Sequence, residues 1–523
     1  SHPGVTVMWA GLAGYMTVFP SYAEIQGGQG HPLSLYALRQ RAFDLPLRIL
    51  VAGRQILILM NLVILALSFL FARRLFGLLP ALLGFLLIAL DPFHIALSRV
   101  LHLDGLLADL MLLSLLAFLI YLEEHSRVAL VISAVAAGLA WLTKSPGLFL
   151  APLIVLLALL YRLRAQSDGD KSVWRKFIRA DAKVLVAWGL IAALIFFLLW
   201  PAMWVHPVGS VVKVLTDAIG YAQAGDTDSA AVFFNGKIYP NGDIPDFGFY
   251  LISFLWRTTP VTLLGLLVAL VFFIRRMLVF RLDSARQAGS RNSLSSSPTS
   301  NKNALQGMDR QRWAVTALLL FAIGFIALMN LGLKKIDRYI LPSVVPLELV
   351  AGVGLVQLAG WIGQLLRDKW RSAFVGAILL CFVASQAALA WRAFPYFFNY
   401  YNPLLGGGRR ALEVMQIGWG EGLDQAARYL NQKPNSDRLR VMAWYGTGSF
   451  FYFSKSQVRS LDIYRQWSTT DWNEFNKSDY VVVYIHQWQR NLPAEVLDHL
   501  RGLKPEYSVW IDGLEYARVY KIQ

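Results

Sequence analysis

The chain has 523 residues, of which 56% are apolar and only 16% charged, more apolar surface than a water-soluble core of this size can hide. Lipid must cover the excess, which excludes an ordinary soluble domain. The formal charge of +16 flanks apolar runs instead of forming one basic, aromatic-interleaved face, so it excludes nucleic acid as a partner and reads as a signal of membrane topology.

In chain order, Ser1-His2-Pro3-Gly4 shows no basic n-region or apolar h-region of a signal peptide, and the expectation is that a first helix and a first outer loop lie upstream. Residues 5–43 are broken by Gly, Pro and Tyr and predict short helices lying in the outer interface. Apolar runs then predict about ten transmembrane helices, near 48–72, 76–95, 104–122, 128–143, 147–163, 183–201, 249–274, 312–333, 339–360 and 372–391. Runs of this kind suit a helix that must cross about 30 Å of hydrocarbon at 1.5 Å per residue. The loops with Arg73 and Arg74, with Arg127, and over 162–183, 275–312 and 367–371 are the basic ones and fall on alternate sides. The positive-inside rule makes them cytoplasmic and both chain ends external.

The inner stretch 290–303, rich in Ser, Asn and Arg, reads as a flexible linker. The outer stretch 201–248 reads as a long ordered loop. After Trp391 the composition turns mixed polar and aromatic, with strand-like runs at 439–445 and 480–486, a hairpin through 509–522 and a helix at 422–430. The expected architecture is an all-α polytopic membrane domain over 1–392 followed by a small extracytoplasmic α/β domain over 393–523. No solenoid-type repeat is present. The lone cysteine, Cys381, sits inside an apolar run, which excludes a disulfide framework and a Cys-based metal site.

Charges on the outer side, where basic residues should be scarce, are the informative ones. Arg99, His102 and Asp104 precede a span, and an ionisable residue at membrane depth is a functional hypothesis by default; the plainer reading is that Asp104 caps its helix. Lys144 lies in a turn between two apolar runs, where it either serves a site or snorkels to the headgroups. Lys334, Lys335, Asp337, Arg338 and Tyr339 form the densest outer cluster. An ammonium beside a guanidinium suits a phosphate, whether that of a substrate or of an anionic lipid. Arg39, Arg41, Arg48 and Arg54 either serve the same anion or mark a misplaced first span. His2, His94, His102 and His206 all map near the outer face, but no H-x-x-x-H spacing links them, so no metal site is expected. No Walker loop, dinucleotide-binding turn or nucleophile elbow occurs.

At these residues the chain resembles the C-type glycosyltransferases, the multi-pass family that includes protein O-mannosyltransferases and lipid A aminoarabinose transferases. His2-Pro3-Gly4 resembles the family's His-Pro-Pro or Lys-Pro-Pro element. Ser98-Arg99 through Leu103-Asp104 resembles its Ser-Arg and Leu-Asp pattern, Gly138 to Pro146 its Thr-Lys-Gly-Pro turn, and Arg338 to Pro342 its Arg-Tyr-Leu-Pro element. Together these cover roughly residues 1–360 in the right order. The C-terminal runs Tyr400 to Gly406 and Gly418-Trp-Gly-Glu-Gly-Leu-Asp424 resemble the outer domain of bacterial members of the group.

The resemblance implies transfer of a sugar from a polyprenyl-phosphate donor, a substrate and not a cofactor, to a protein, lipid or glycan acceptor on the outer face of a bacterial cytoplasmic membrane. The implied partners are membrane lipids and the lipid-linked donor. Lys144, Arg338 and Arg99, with Tyr339 beside them, would hold the lipid phosphate as negative charge develops on it. Asp104 would be the catalytic-site carboxylate that positions sugar or acceptor, with His2, His102 and Lys335 as possible further site residues. In the family the base that takes the acceptor proton lies in the first outer loop, upstream of His2, and Glu24 does not match its motif. Two alternatives stay open, a transporter or flippase for a lipid-linked anion and a non-catalytic scaffold of the same fold. A transporter predicts repeat halves and interrupted midplane helices, which the sequence does not display.

Overall fold

The computed structural model describes residues 4–23, 34–164, 181–223, 231–240, 243–289, 299–365, 367–461 and 467–523. Among the described residues seven helices are long and apolar enough to cross a membrane: Leu45–Phe76, Leu103–Glu124, Ser145–Arg164, Ala182–Leu199, Asp309–Leu331, Asp337–Gly363 and Asp368–Ala393. Two bent pairs raise the number to nine. Leu78–Leu90 meets Pro92–Ser98 at 65° and Phe249–Arg257 meets Pro260–Arg275 at 115°. Proline explains both breaks, since it cannot donate to the preceding turn and pushes the residue before it out of the helical region. The span expected at 128–143 is the 17-residue helix Arg127–Thr143, shorter than the roughly 20 residues a perpendicular crossing needs. The all-α polytopic domain followed by a small α/β domain is the fold class observed.

Two helices form the centre of the bundle. Leu103–Glu124 is buried along almost its whole length, including every residue from Asp104 to Ile120. Leu341–Gly363 is buried nearly as fully. Helices around them, such as Ala182–Leu199 and Asp368–Ala393, bury only a narrow stripe and turn their remaining Leu, Val and Phe side chains outward, as a lipid-facing helix must. Close crossings are made where side chains vanish. A Cβ on Gly14 would meet the Ala52 carbonyl oxygen at 2.4 Å, so the short helix Val5–Val18 can lie against Leu45–Phe76 only with glycine there.

The ends of Leu103–Glu124 separate two kinds of chemistry by about 33 Å, its 22 residues rising 1.5 Å each. At one end Glu124 accepts from both Arg74 and Arg310, and Arg164 lies 3.5 Å from Glu123 and 3.4 Å from Asp309. These pairs gather three of the predicted basic loops on one side. Asp104 stands at the other end. The expected linker over 290–303 falls mostly outside the described residues; from Thr299 onward the backbone is already helical.

Beyond Ala393 a five-stranded sheet follows: β3 (Arg440–Ala443), β4 (Gln457–Ser460), β5 (Tyr480–Tyr484), β6 (Tyr507–Ile511) and β7 (Leu514–Lys521), in the order β4-β3-β5-β7-β6. In the long outer loop β1 (Val232–Phe234) and β2 (Lys237–Tyr239) pair as an antiparallel hairpin. Both hairpins turn on the dipeptides expected of paired positive-φ residues: Asn235-Gly236, with φ 51° and 75°, and Asp512-Gly513, with φ 52° and 75°. β5 is buried at every residue because it lies within the sheet, parallel to β3 and antiparallel to β7. The predicted 480–486 strand stops two residues early, since His486 already belongs to the helix Ile485–Arg490. The edge strand β4 was not predicted from the sequence.

Candidate active site

Asp104 opens the central helix Leu103–Glu124, where its backbone N–H donates to His102 Nδ1 at 3.4 Å. The carboxylate therefore sits at the helix N-terminus, where the free N–H groups and the helix dipole favour a negative charge. Lys144 arrives from a different turn. Its helix, Arg127–Thr143, ends because the backbone turns extended at Lys144 and Pro146 follows. Arg338 and Tyr339 lie in the 3-10 turn Asp337–Ile340, immediately before the second central helix.

These three segments converge. Lys144 Nζ donates to Asp104 Oδ1 at 2.6 Å, and Arg338 Nε lies 3.0 Å from Asp104 Oδ2. His102 Nδ1 is 3.3 Å from the same oxygen, and the Lys144 ammonium stands 4.0 Å from the centroid of the Tyr339 ring. Asp104 is 2% exposed and Lys144 4%. An isolated ion at that depth would cost several kcal/mol to desolvate, so the groups stay charged through one another. His102 is the neutral member: burial, reinforced by the nearby Arg338 and Lys144 charges and opposed by Asp104, pulls its pKa down to about 4.

With one carboxylate, two cations and a neutral imidazole, the cluster keeps a net positive charge. The Arg338–Asp104 contact is an ion pair without hydrogen-bond alignment. Among the described residues no acceptor is bonded to the terminal nitrogens of Arg338, and Lys144 uses one of its three ammonium donors on Asp104. Those unspent donors are the chemistry of an oxyanion site. Asp104 has both oxygens against cations.

The turn that carries Arg338 is held from behind. Arg257, 1% exposed, donates from Nε to Asp337 Oδ2 at 2.8 Å and from Nη1 to the Phe398 and Tyr400 carbonyls at 2.8 and 3.0 Å. Asp337 Oδ1 in turn accepts from the Arg338 backbone N–H at 2.8 Å. His94, 2.9 Å from Asp109 and capped by Asp91 at its backbone, anchors the helix Pro92–Ser98 that precedes the Arg99–His102 loop.

Of the residues singled out from the sequence, Asp104, Lys144, Arg338, Tyr339 and His102 come together. Arg99 does not touch Asp104; it donates to the Pro395 carbonyl and lies 4.7 Å from the Phe397 ring centroid. Lys335 points elsewhere, donating to the Pro245 and Asp246 carbonyls at 2.9 Å each, which pins the long outer loop. His2 and Glu24 lie outside the described residues. His94 is buried against Asp109, and His206 is exposed in a separate loop. Among the described residues no group of three His, Cys, Asp or Glu side chains is placed to hold a metal ion.

Sequence reasoning missed Arg257, although an arginine closing an apolar run is the kind of membrane-depth charge that calls for a reason. It also gave no role to Trp419. That indole, from the C-terminal domain, packs edge-to-face on His102 at 5.2 Å and lies 4.8 Å from the Arg338 guanidinium carbon.

Residues 43–200 match the family model described as dolichyl-phosphate-mannose-protein mannosyltransferase, so the match spans Arg99, Asp104 and Lys144 and agrees with the family resemblance read from their motifs. No match among curated proteins was found. Among solved structures, the chain is similar to ArnT from Cupriavidus metallidurans bound to undecaprenyl phosphate, with 15% identity and a TM-score of 0.40, over 90% of this chain and 84% of that one. It is also similar to the archaeal oligosaccharyltransferase AglB from Archaeoglobus fulgidus, in complex with an inhibitory peptide and a dolichol-phosphate. There the identity is 14% and the TM-score 0.42, over 84% of this chain and 59% of that one.

Proposed function

We propose that this protein is a membrane glycosyltransferase that moves a sugar from a polyprenyl-phosphate donor to an acceptor at the outer face of a bacterial cytoplasmic membrane. The observation that carries the proposal is the convergence of Lys144 and Arg338, from turns far apart in sequence, on one buried carboxylate. Two cations held at the mouth of a helix bundle, with donors that have no acceptor among the described residues, suit an anion that arrives from the lipid phase. The family match over residues 43–200 supports a lipid phosphate as that anion.

In this reading the glycosidic carbon–oxygen bond breaks with its electrons going to the lipid phosphate oxygen. Lys144 and Arg338 stabilise the charge that grows there, the kind of preorganised electrostatics that lowers such barriers most. Asp104 holds the two cations at a fixed separation before the donor binds. The acceptor proton goes to a base other than Asp104. The C-terminal domain faces the same side, because its Trp419 touches the cluster.

The test is binding of undecaprenyl phosphate to the full protein in lipid nanodiscs. Lys144→Ala and Arg338→Ala should each weaken it by about tenfold or more, the scale of a charge-assisted hydrogen bond. Wild-type affinity in both variants would remove the lipid-phosphate site.

A further inference from the structure

The run Gly418-Trp-Gly-Glu-Gly422 belongs to the C-terminal domain, yet its tryptophan stands in the membrane-domain cluster. Trp419 meets two residues there, His102 at 5.2 Å and the Arg338 guanidinium carbon at 4.8 Å from the ring centroid, and also packs on Phe398 at 5.0 Å. Arg338 is thus held on one side by Asp104 and on another by an indole, within the distance at which a cation is attracted by an aromatic face.

The loop is built to hold the ring in place. Glu421 accepts from the Trp419 backbone N–H and, at 3.1 Å, from the Tyr484 hydroxyl. The Gly420 N–H donates to the same Tyr484 oxygen at 2.9 Å. Tyr484 is fully buried at the end of β5, so the loop hangs from the centre of the sheet. Gly420 has φ of +104°, and a Cβ there would meet Ser449 Oγ at 2.3 Å, so only glycine fits the turn without displacement.

Resting on the lipid-phosphate reading above, we propose that Trp419 is a positioning residue of the site: it fixes the Arg338 guanidinium for the phosphate, so that the anion site is complete only with the C-terminal domain docked. The chemistry that would be recognised is that of a polyprenyl monophosphate, gripped by an arginine whose direction is set by a residue of the other domain. The competing view is that Trp419 is ordinary packing between two domains, and the two views differ in whether its effect depends on Arg338.

A double-mutant cycle on the full protein in nanodiscs, with undecaprenyl phosphate as the probe, separates them. Trp419→Ala should weaken binding roughly 3- to 30-fold, the range of a cation–aromatic contact, and Trp419→Phe should restore part of the loss. In an Arg338→Ala background Trp419→Ala should change nothing further. Wild-type affinity in Trp419→Ala, or an equal loss with and without Arg338, would overturn the inference while leaving the phosphate site intact. Wild-type affinity in both Arg338→Ala and Lys144→Ala would instead overturn the phosphate reading itself, and this inference with it; wild-type affinity in Arg338→Ala alone would overturn this inference only.

Discussion

The Lys144 ammonium lies 2.6 Å from Asp104 across 40 residues of sequence, and both groups are buried. That relation decides between two roles for Asp104 that its position alone leaves open. A carboxylate that only caps its helix needs its oxygens near the backbone N–H groups. Here one oxygen faces a lysine and the other an arginine. Asp104→Asn keeps capping ability but leaves two cations facing each other. We expect turnover to fall by roughly 10²-fold or more and the melting temperature to drop. We also expect undecaprenyl phosphate to raise the melting temperature of the variant more than that of the wild type, because the anion then takes the place of the missing charge. Unaltered turnover and melting in the Asn variant would return Asp104 to a simple cap.

The neutral imidazole gives a prediction in pH. His102 titrates near 4 in the folded protein against an ordinary 6.5, so the unfolded chain binds a proton that the folded one refuses. Stability from this group is fully present above about 6.5 and is lost progressively as pH falls towards 4. Thermal melts of wild type and His102→Gln across that window should converge on the acid side, with the variant losing less. Parallel curves would mean that His102 is not held neutral by its surroundings.

How much of this was legible in the sequence follows from the physics of each element. The long apolar helices read directly, because a lipid-facing stripe and a buried stripe are both apolar and length alone identifies them. Lys144 and Arg338 read as anomalies, since cations on the outer side break a strong topological rule. That the two serve one site with Asp104 is what the resemblance implies; their direct pairing with its two oxygens did not read, because it depends on how two central helices pack. Lys335 broke the same rule and serves loop carbonyls instead, so charge in the wrong place identifies a constraint but not its kind. The β4 strand was missed because Gln457–Ser460 buries one residue, Val458, and leaves the others exposed, which erases the period-two signal. Trp419 was visible only as part of a glycine-rich motif; its partner is in the other domain.

The pair Arg257–Asp337 supports the turn that carries Arg338, with Arg257 nearly inaccessible and 2.6 Å from the Asp337 carboxylate. Asp337→Ala would leave a buried guanidinium uncompensated, a change on the order of 3–5 kcal/mol for buried pairs. We expect a marked fall in melting temperature and poor recovery of folded protein. Arg257→Met combined with Asp337→Leu should recover much of the stability, since replacing both partners by apolar groups removes the desolvation cost as well, while undecaprenyl phosphate binding should remain weaker than wild type. A double variant less stable than Asp337→Ala would show that the carbonyl bonds of Arg257, not its ion pair, hold this corner.

The orientation of the whole chain is open to a direct test, and exposure decides where the probe goes. Lys504 is exposed in the C-terminal domain, and Lys369 is exposed in the basic stretch 367–371 at the start of the last long helix. Cys381 is exposed too, so the probes belong in a Cys381→Ala background. In intact cells an impermeant maleimide should label Lys504→Cys and leave Lys369→Cys unlabelled until the membrane is opened. The Asp104 cluster shares the side of the C-terminal domain through Trp419, so the same labelling fixes the side on which the donor phosphate is held. Labelling of Lys369→Cys from outside, with silence at Lys504→Cys, would invert the protein and place the proposed transfer in the cytoplasm.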